Sequence, residues 1–289
     1  MNGSMTTDKP SPSPSRKREG SLSYLSSLGP PSGEMPLVLL RPVRIFRGEN
    51  MATTADTRMH PMIRERLFFF VMALVIAATV ISGFSLQLAM GRSTFASPWW
   101  VHVHGVTFMG WIGIYLTQNF LIWRGELTLH RRLGRVAAFY VGWMVLVGLS
   151  VNTLTAINHR IPPFFEPNVF LVMDWLTVLT FAGLTLAGVA MRGRSDWHRR
   201  LMLCGAIQVM TPGVGRLLPL PLMGTWILWS IWAVMLVYIA AALIYDLRTW
   251  GKVHPAYLWG FGAITLSVAL MRPLAFSSPM LSLTHYLMG

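Results

Sequence analysis

Windows of about 20 consecutive apolar residues recur from Leu67 almost to the end of the chain, and they restrict the fold more than any other feature. A helix needs about this length to cross the roughly 30 Å hydrocarbon layer of a bilayer. The sequence therefore predicts an all-α integral membrane bundle of about seven transmembrane helices. We place the spans near 67–90, 99–123, 133–157, 167–191, 200–218, 223–245 and 255–276.

The predicted fifth span is irregular. It contains Pro212, Gly213 and Gly215, and Pro219 and Pro221 follow it closely. Proline removes a backbone hydrogen bond and breaks or kinks a helix, which a membrane helix tolerates if its neighbours satisfy the freed carbonyls. We therefore expect this span to be broken or kinked.

The composition agrees with a membrane protein and argues against nucleic acid as a partner. Hydrophobic residues make up 53% of the chain and charged residues 12%, whereas soluble domains carry about 25% charged residues. The net charge of +13 would suggest nucleic acid in a soluble protein. Here the arginines lie in short loops between apolar windows, where they orient helices, so membrane lipids are the expected surroundings. The single cysteine, Cys204, excludes a disulfide framework and a cysteine metal site.

The N-terminal segment differs from the rest in composition. Residues 1–57 are rich in Ser, Pro, Gly and Arg and cannot bury a core, so we predict a disordered extension before a transmembrane domain at 58–289. We find no cleavable signal peptide in it. Met51 would be a sensible start for a membrane protein, and the hypothesis that residues 1–50 precede the native start is testable by N-terminal mass analysis.

Basic residues concentrate in every second connection between the spans, which predicts the orientation of the chain. By the positive-inside rule these connections are cytoplasmic, the N-terminus is inside and the C-terminus outside, in a bacterial cytoplasmic (inner) membrane. The basic residues are Arg124, Arg131, Arg132 and Arg135, then Arg192, Arg194, Arg199 and Arg200, and finally Arg248 and Lys252.

Two of these cytoplasmic connections resemble each other. Residues 124–133 align without gaps on residues 192–201, with Arg, Gly, His, Arg, Arg and Leu identical. The third connection keeps Arg248 six residues before His254, the same spacing as in the other two. The pattern favours a repeating helix hairpin, a common way to build membrane proteins, over a chance likeness of basic loops.

Histidine is costly in hydrocarbon and tends to face a site there. His130, His198 and His254 each begin an odd-numbered span on the cytoplasmic side, and His60 has a similar place before the first. They are either interfacial anchors that bind lipid phosphates or candidate cofactor ligands. In the second interpretation two rings from neighbouring helices ligate a haem iron or a metal ion, because paired imidazoles are the usual ligands of membrane b-type haems.

A second group of polar residues lies near the outer ends of the spans. Asp174 lies about two turns inside the fourth span. Burying its carboxylate there costs free energy unless the side chain is protonated, paired or facing water. The group forms either a structural ion pair or a polar pocket that opens outward and holds a small molecule, a proton or haem propionates. His102 and His104 point to different sides of a helix, so at most one faces the pocket. The candidate pocket residues are His102, His104, Asn152, His159, Asp174, Arg216 and Arg272.

One set of motifs lies between residues 64 and 217: Arg66-Leu67-Phe68-Phe69, His102-Val103-His104-Gly105, Trp111, Gln118, the segment His130–Arg135 and His198-Arg199-Arg200-Leu201-Met202. Over this range the chain resembles bacterial multi-pass membrane proteins of unknown function, of the DUF2306-like kind, which implies the fold and no activity. Part of the set, His104 with Gln118 and then His130–Arg135, covers about thirty residues and resembles the cytochrome b561 superfamily, in which such histidines bind haem b. That resemblance implies that His104 and His130 are ligands of two different haems.

Three functional hypotheses follow. The first is a haem b redox protein that exchanges electrons with quinone or with another redox protein. The second is a non-redox transporter or small-molecule binding protein with an outward-facing pocket, since broken helices are common at transporter sites. The third is a zinc-dependent intramembrane hydrolase, which is less favoured because the paired histidines of such enzymes are missing from the last helix. The sequence has no phosphate-binding glycine loop and no nucleophile elbow.

Overall fold

The computed structural model describes residues 61–289, so His60 and the predicted extension at 1–57 lie outside the described residues. All regular structure in this part of the chain is helical, with no strand. The nine α-helices of residues 61–289 are α1 (Pro61–Ala89), α2 (Trp99–Arg124), α3 (Leu127–Ile157), α4 (Pro167–Ala190), α5 (Ser195–Val209), α6 (Thr211–Leu217), α7 (Ile227–Trp250), α8 (Pro255–Ala275) and α9 (Ser278–Met288).

A helix or a pair of helices occupies each predicted span. The fifth span is broken, as expected, into α5 and α6, which join at Met210, two residues before Pro212. Among the described residues, α9 lies outside the predicted spans; it has 11 residues and follows the seventh span. A search for windows of about 20 apolar residues passes over a helix this short, because it cannot cross a bilayer.

Five helices of the described residues are long and apolar enough to cross a membrane, which supports a multi-pass membrane protein. The α2 helix is not among them, and it carries His102, His104 and Gln118 among its apolar residues. The α5 helix has only 15 residues. The five stretches are Met62–Ala89, Leu127–Ile157, Pro167–Gly193, Gly224–Trp250 and Pro255–Ala275.

The α4 helix lies at the centre of the bundle and is the most buried of the five. It packs against α3, α5 and α8, while α1 packs against α2 and α6. Phe181 of α4 is fully buried and meets Trp111 of α2 edge to face, with ring centroids 5.2 Å apart. The buried residues of α4 extend from Asn168 near its start to Gly188 near its end.

The α1 and α6 helices approach each other closely at two glycines. A Cβ added to Gly83 would overlap the carbonyl oxygen of Gly213, and one added to Gly213 would lie 2.8 Å from the Cα of Val80. Real Cβ atoms essentially never come this close to backbone, so only glycine allows the crossing. The crossing fixes the short α6 helix against α1, and with it Arg216 near the end of α6.

Candidate functional site

We call the end of the bundle at which α2 and α4 begin the outer end, after its predicted side, and the opposite end the inner end. A packed layer lies near the outer end. A Cβ added to Gly148 of α3 would lie 3.1 Å from a methyl carbon of Val178 on α4 and 3.3 Å from the ring of Phe108 on α2. The three helices therefore meet tightly at this level.

Three polar residues stand one helical turn further out. His104, Asn152 and Asp174 are each four residues from the packed layer on their own helices, in the outward direction. Residues four apart share a helix face, so these side chains face the same interior region as the layer beneath them. Asn152 is buried, and His104 and Asp174 are half-buried.

Arg216 of α6 completes this group, which we name the outer polar cluster: His104, Asn152, Asp174 and Arg216. Its charge acts on both His104 and Asp174. The guanidinium carbon lies 4.0 Å from the ring centroid of Phe84, and Nη1 donates a hydrogen bond to the carbonyl oxygen of Pro212 at 2.9 Å. Neighbouring residues of α1 and α6 thus hold the arginine in place.

The polar groups of the cluster do not satisfy one another. Within residues 61–289, Asp174 takes part in no ion pair and no side-chain hydrogen bond. The Nδ1 atom of His104 is buried without a hydrogen-bond partner, although its ring contacts the ring of Phe108, with centroids 4.3 Å apart and the planes tilted by 32°. Buried polar groups generally have partners, and a bound polar molecule would supply them here.

The other predicted pocket residues lie outside this cluster. His102 is exposed, and its Nε2 donates to the carbonyl oxygens of Phe95 at 3.1 Å and Ser97 at 3.0 Å. His159 is exposed in a turn with a φ of 50°. Arg272 pairs with Glu166 at 3.6 Å on the surface. Of the two histidines at the start of α2, His104 is the one that faces the cluster.

At the inner end the structure brings His130 of α3 and His198 of α5 together, with ring centroids 6.2 Å apart. These two histidines occupy equivalent positions in the repeated loops. The Nδ1–H of His198 donates to the carbonyl oxygen of Gly188 at 2.7 Å, and burial lowers the pKa of His198. The ring is therefore neutral with its Nε2 lone pair available. The Nδ1 atom of His130 is buried without a partner.

This pair has the chemistry and the spacing of metal ligands. Two imidazoles on opposite sides of one metal, each with its nitrogen about 2.0–2.1 Å away, would have ring centres roughly 6 Å apart, whereas two imidazoles at a tetrahedral zinc would have them roughly 5 Å apart. A metal-bound histidine also usually donates its other N–H to a carbonyl or carboxylate, as His198 does to Gly188. Within residues 61–289 no three or more His, Cys, Asp and Glu side chains are grouped to hold a metal ion, so the zinc hydrolase hypothesis gains no support.

His254 stands apart from that pair because both of its ring nitrogens have protein partners. Its Nδ1 accepts a hydrogen bond from the backbone N–H of Ala256 at 3.2 Å, which caps the start of α8. Its Nε2–H donates to Asp196 at 3.0 Å. Partial burial acts to raise the pKa of Asp196, but the hydrogen bond from His254 and hydrogen bonds from the backbone at Asp196 and Trp197 together hold that pKa below its usual value.

Next to His254 lies a buried group of charges that we name the inner ion-pair cluster: Glu65, Arg199, Arg200 and Asp246. Arg200 donates two hydrogen bonds to Asp246, from Nε at 2.9 Å and from Nη2 at 2.7 Å. Glu65 accepts from Arg199 at 2.8 Å and lies 3.5 Å from Arg200. Arg200 and Asp246 are only 2% and 1% exposed. The cluster ties α1, α5 and α7 together.

Sequence reasoning missed Glu65 and Asp246, although a signal was present. The chain has only 11 acidic residues, so each one in an apolar segment is conspicuous. A carboxylate at the end of an apolar window needs a partner for the same reason as Asp174, because an unpaired charge there is costly. Arg132 and Arg200 are equivalent in the aligned repeat, but the alignment does not show that their surroundings differ. Arg132 is exposed, whereas Arg200 is buried against Asp246.

Comparisons of the chain with protein-family models, with curated proteins and with solved structures found no match.

Proposed function

We propose that this chain is a polytopic membrane protein that binds a small polar molecule at the outer polar cluster, as a non-redox transporter or binding protein. One observation carries the proposal. Asp174 and Arg216 attract each other across the interior without forming an ion pair, and His104 beside them has a buried nitrogen without a partner. A purely structural pair would be expected to close, because unpaired charges inside a membrane are costly.

The residues of the cluster indicate the chemistry of the ligand. Arg216 suits a carboxylate or a phosphate, because a guanidinium binds such groups with two parallel hydrogen bonds. Asp174 accepts hydrogen bonds or pairs with a cationic group. The ligand class is therefore a small molecule that carries an acidic group and a hydrogen-bond donor or ammonium group. The break between α5 and α6 beside Arg216 resembles the discontinuous helices at transporter sites.

The proposal includes seven crossings, a cytoplasmic N-terminus and a location in a bacterial inner membrane. In this arrangement α5 and α6 form one crossing, and α9 remains at the outer end. The basic connections between α2 and α3, between α4 and α5 and between α7 and α8 share the inner end, in keeping with the positive-inside rule.

Removing either charge of the outer polar cluster should weaken binding of the proposed ligand. We expect small amphoteric molecules, screened as stabilisers of the purified protein in a thermal-shift assay, to raise the melting temperature of the wild type. Asp174→Asn and Arg216→Ala should weaken that binding at least about tenfold, since losing one partner of a desolvated charged contact costs about 2–5 kcal/mol.

The matched control is Arg272→Ala, which removes an arginine from the exposed pair with Glu166 near the same end of the bundle. Exposed pairs contribute about 0–1 kcal/mol, so this variant should bind as the wild type does. Equal binding by the wild type, Asp174→Asn and Arg216→Ala would contradict the proposal.

A second candidate function is electron transfer by haem b, with quinone or another redox protein as the partner. The observation that favours it is the pair of His130 and His198, whose ring centroids are 6.2 Å apart. In this proposal His130 and His198 would hold the haem, Gly188 would orient His198, and the bound haem would supply one-electron chemistry.

An absorption spectrum tests the haem proposal. Protein purified after expression with ample haem should show a Soret band that shifts on dithionite reduction, together with a sharp α band. His130→Ala and His198→Ala should each lose most of this absorption, whereas His285→Ala, at the exposed end of α9, should keep it. A flat wild-type spectrum would remove this candidate and leave the outer polar cluster untouched.

A further inference from the structure

Three aromatic rings lie together on the surface of α1 and α2, near the inner end of the bundle. Phe70 of α1 stacks on Trp123 of α2, with ring centroids 5.2 Å apart and the planes tilted by 8°. Phe120 of α2 contacts both, at 5.8 Å from Phe70 and 5.9 Å from Trp123. Phe120 and Trp123 are 41% and 40% exposed. In a membrane these exposed rings face lipid, at the level where aromatic residues meet the headgroup boundary.

Two arginines lie one helical turn beyond the rings, towards the inner end. Arg66 is four residues before Phe70 on α1, and Arg124 is four residues after Phe120 on α2. Residues four apart share a helix face and are about 6 Å apart along the axis. A Cβ added to Gly125 would lie 4.0 Å from Nη1 of Arg66. The guanidinium of α1 therefore reaches the backbone directly after Arg124.

These two arginines have no carboxylate partner. Within residues 61–289 no ion pair includes Arg66 or Arg124, and the exposed Glu126 pairs with neither. The arginines of the inner ion-pair cluster, at the same end, have carboxylates of their own. Arg66 and Arg124 are thus two unpaired cations next to an exposed apolar surface, and a ligand that fits both has an anionic head and an apolar tail.

We propose that this surface binds one anionic phospholipid, whose phosphate contacts Arg66 and Arg124 and whose acyl chain packs on the three rings. A guanidinium binds phosphate with two parallel hydrogen bonds, and basic pockets between membrane helices on the cytoplasmic side suit anionic headgroups. A soluble acidic partner would leave the rings uncovered. The site is at the opposite end from the outer polar cluster and does not depend on the ligand proposed there.

Native mass spectrometry of the detergent-purified protein tests the site, with phosphatidylglycerol or phosphatidylcholine of the same acyl chains added. We expect the wild type to bind phosphatidylglycerol at least about tenfold more tightly, because each arginine at an anionic headgroup contributes about fivefold. The double variant Arg66→Gln, Arg124→Gln should lose most of this preference. The matched control is Arg192→Gln, which alters an exposed arginine of the connection between α4 and α5 that donates to the carbonyl oxygen of Val189 in its own turn. This control should keep the preference.

Two further measurements separate the headgroup from the chain. Phe70→Ala with Trp123→Ala should weaken binding of both lipids and leave the preference for phosphatidylglycerol, since the rings contact only the chain. Glycerol phosphate, which has no chain, should not displace the lipid at equal concentration; displacement would indicate a site for free phosphate and overturn the proposal. Equal binding of the two lipids by the wild type would overturn it without any variant, as would a preference that persists in the double arginine variant.

Discussion

Replacing Asp246 with alanine should destabilise the protein by about 3–5 kcal/mol, the usual effect of removing one partner from a buried ion pair. Arg200 would keep its charge in a site that is 2% exposed, with Glu65 3.5 Å away as its remaining carboxylate. The same substitution removes the acceptor of the backbone N–H of His254. Thermal unfolding of the purified protein in detergent, followed by size-exclusion chromatography, should show a large loss of folded material.

Two further variants separate this effect from a general loss of packing. The double variant Arg200→Met, Asp246→Val should recover most of the stability, because apolar residues of similar volume often replace a buried pair without loss. Asp196→Asn alters the half-exposed partner of His254 and should change the free energy of unfolding by no more than about 1 kcal/mol. An Asp246→Ala protein as stable as the wild type would show that the pair contributes nothing to the fold.

Replacing Gly83 with alanine should separate α1 from α6 and cost about 1–3 kcal/mol of stability, the usual penalty of overpacking. The added Cβ would overlap the carbonyl oxygen of Gly213, and backbone atoms cannot rotate away as a side chain can. Since α6 carries Arg216, we also expect the outer polar cluster to lose its affinity for the proposed ligand. The measurements are thermal unfolding and the ligand-dependent shift in melting temperature.

Gly262→Ala is the matched control, since Gly262 is also in the middle of a helix but has nothing within 4 Å of an added Cβ. Alanine is the better helix former by up to about 1 kcal/mol, so this variant should be unchanged or slightly more stable. If both glycine variants behaved alike, helix propensity rather than the close crossing would be the deciding factor.

The long helices were predictable because a helix needs about 20 apolar residues to cross a bilayer, and runs of that length can be read directly from the sequence. The break at Met210 was also predictable, since proline and glycine interrupt the helix ladder whatever surrounds them. The close crossing of Gly83 and Gly213 was not, because a glycine in an apolar run gives no sign of which helix approaches it.

Some of the polar residues could also be predicted from the sequence, and others could not. Asp174 stood out because a carboxylate deep in a span is rare, and that cost can be read from sequence position alone. Which histidines meet depends on which helices are neighbours, so the contact between His130 and His198 and the separate role of His254 needed the structure. The position of Arg66 beside Arg124 needed it for the same reason, because the two arginines are on different helices.

The inner ion-pair cluster also affects how the chain is assembled during synthesis. Glu65 is made 135 residues before Arg200, and Asp246 is made another 46 residues later. At roughly 5–20 residues per second of translation, the carboxylate on the first helix waits on the order of 10 seconds for its arginine. Until α7, which carries Asp246, has been synthesised, Arg200 lacks its closest partner. Nascent chains halted before Asp246 should therefore remain bound to the insertion machinery or be degraded.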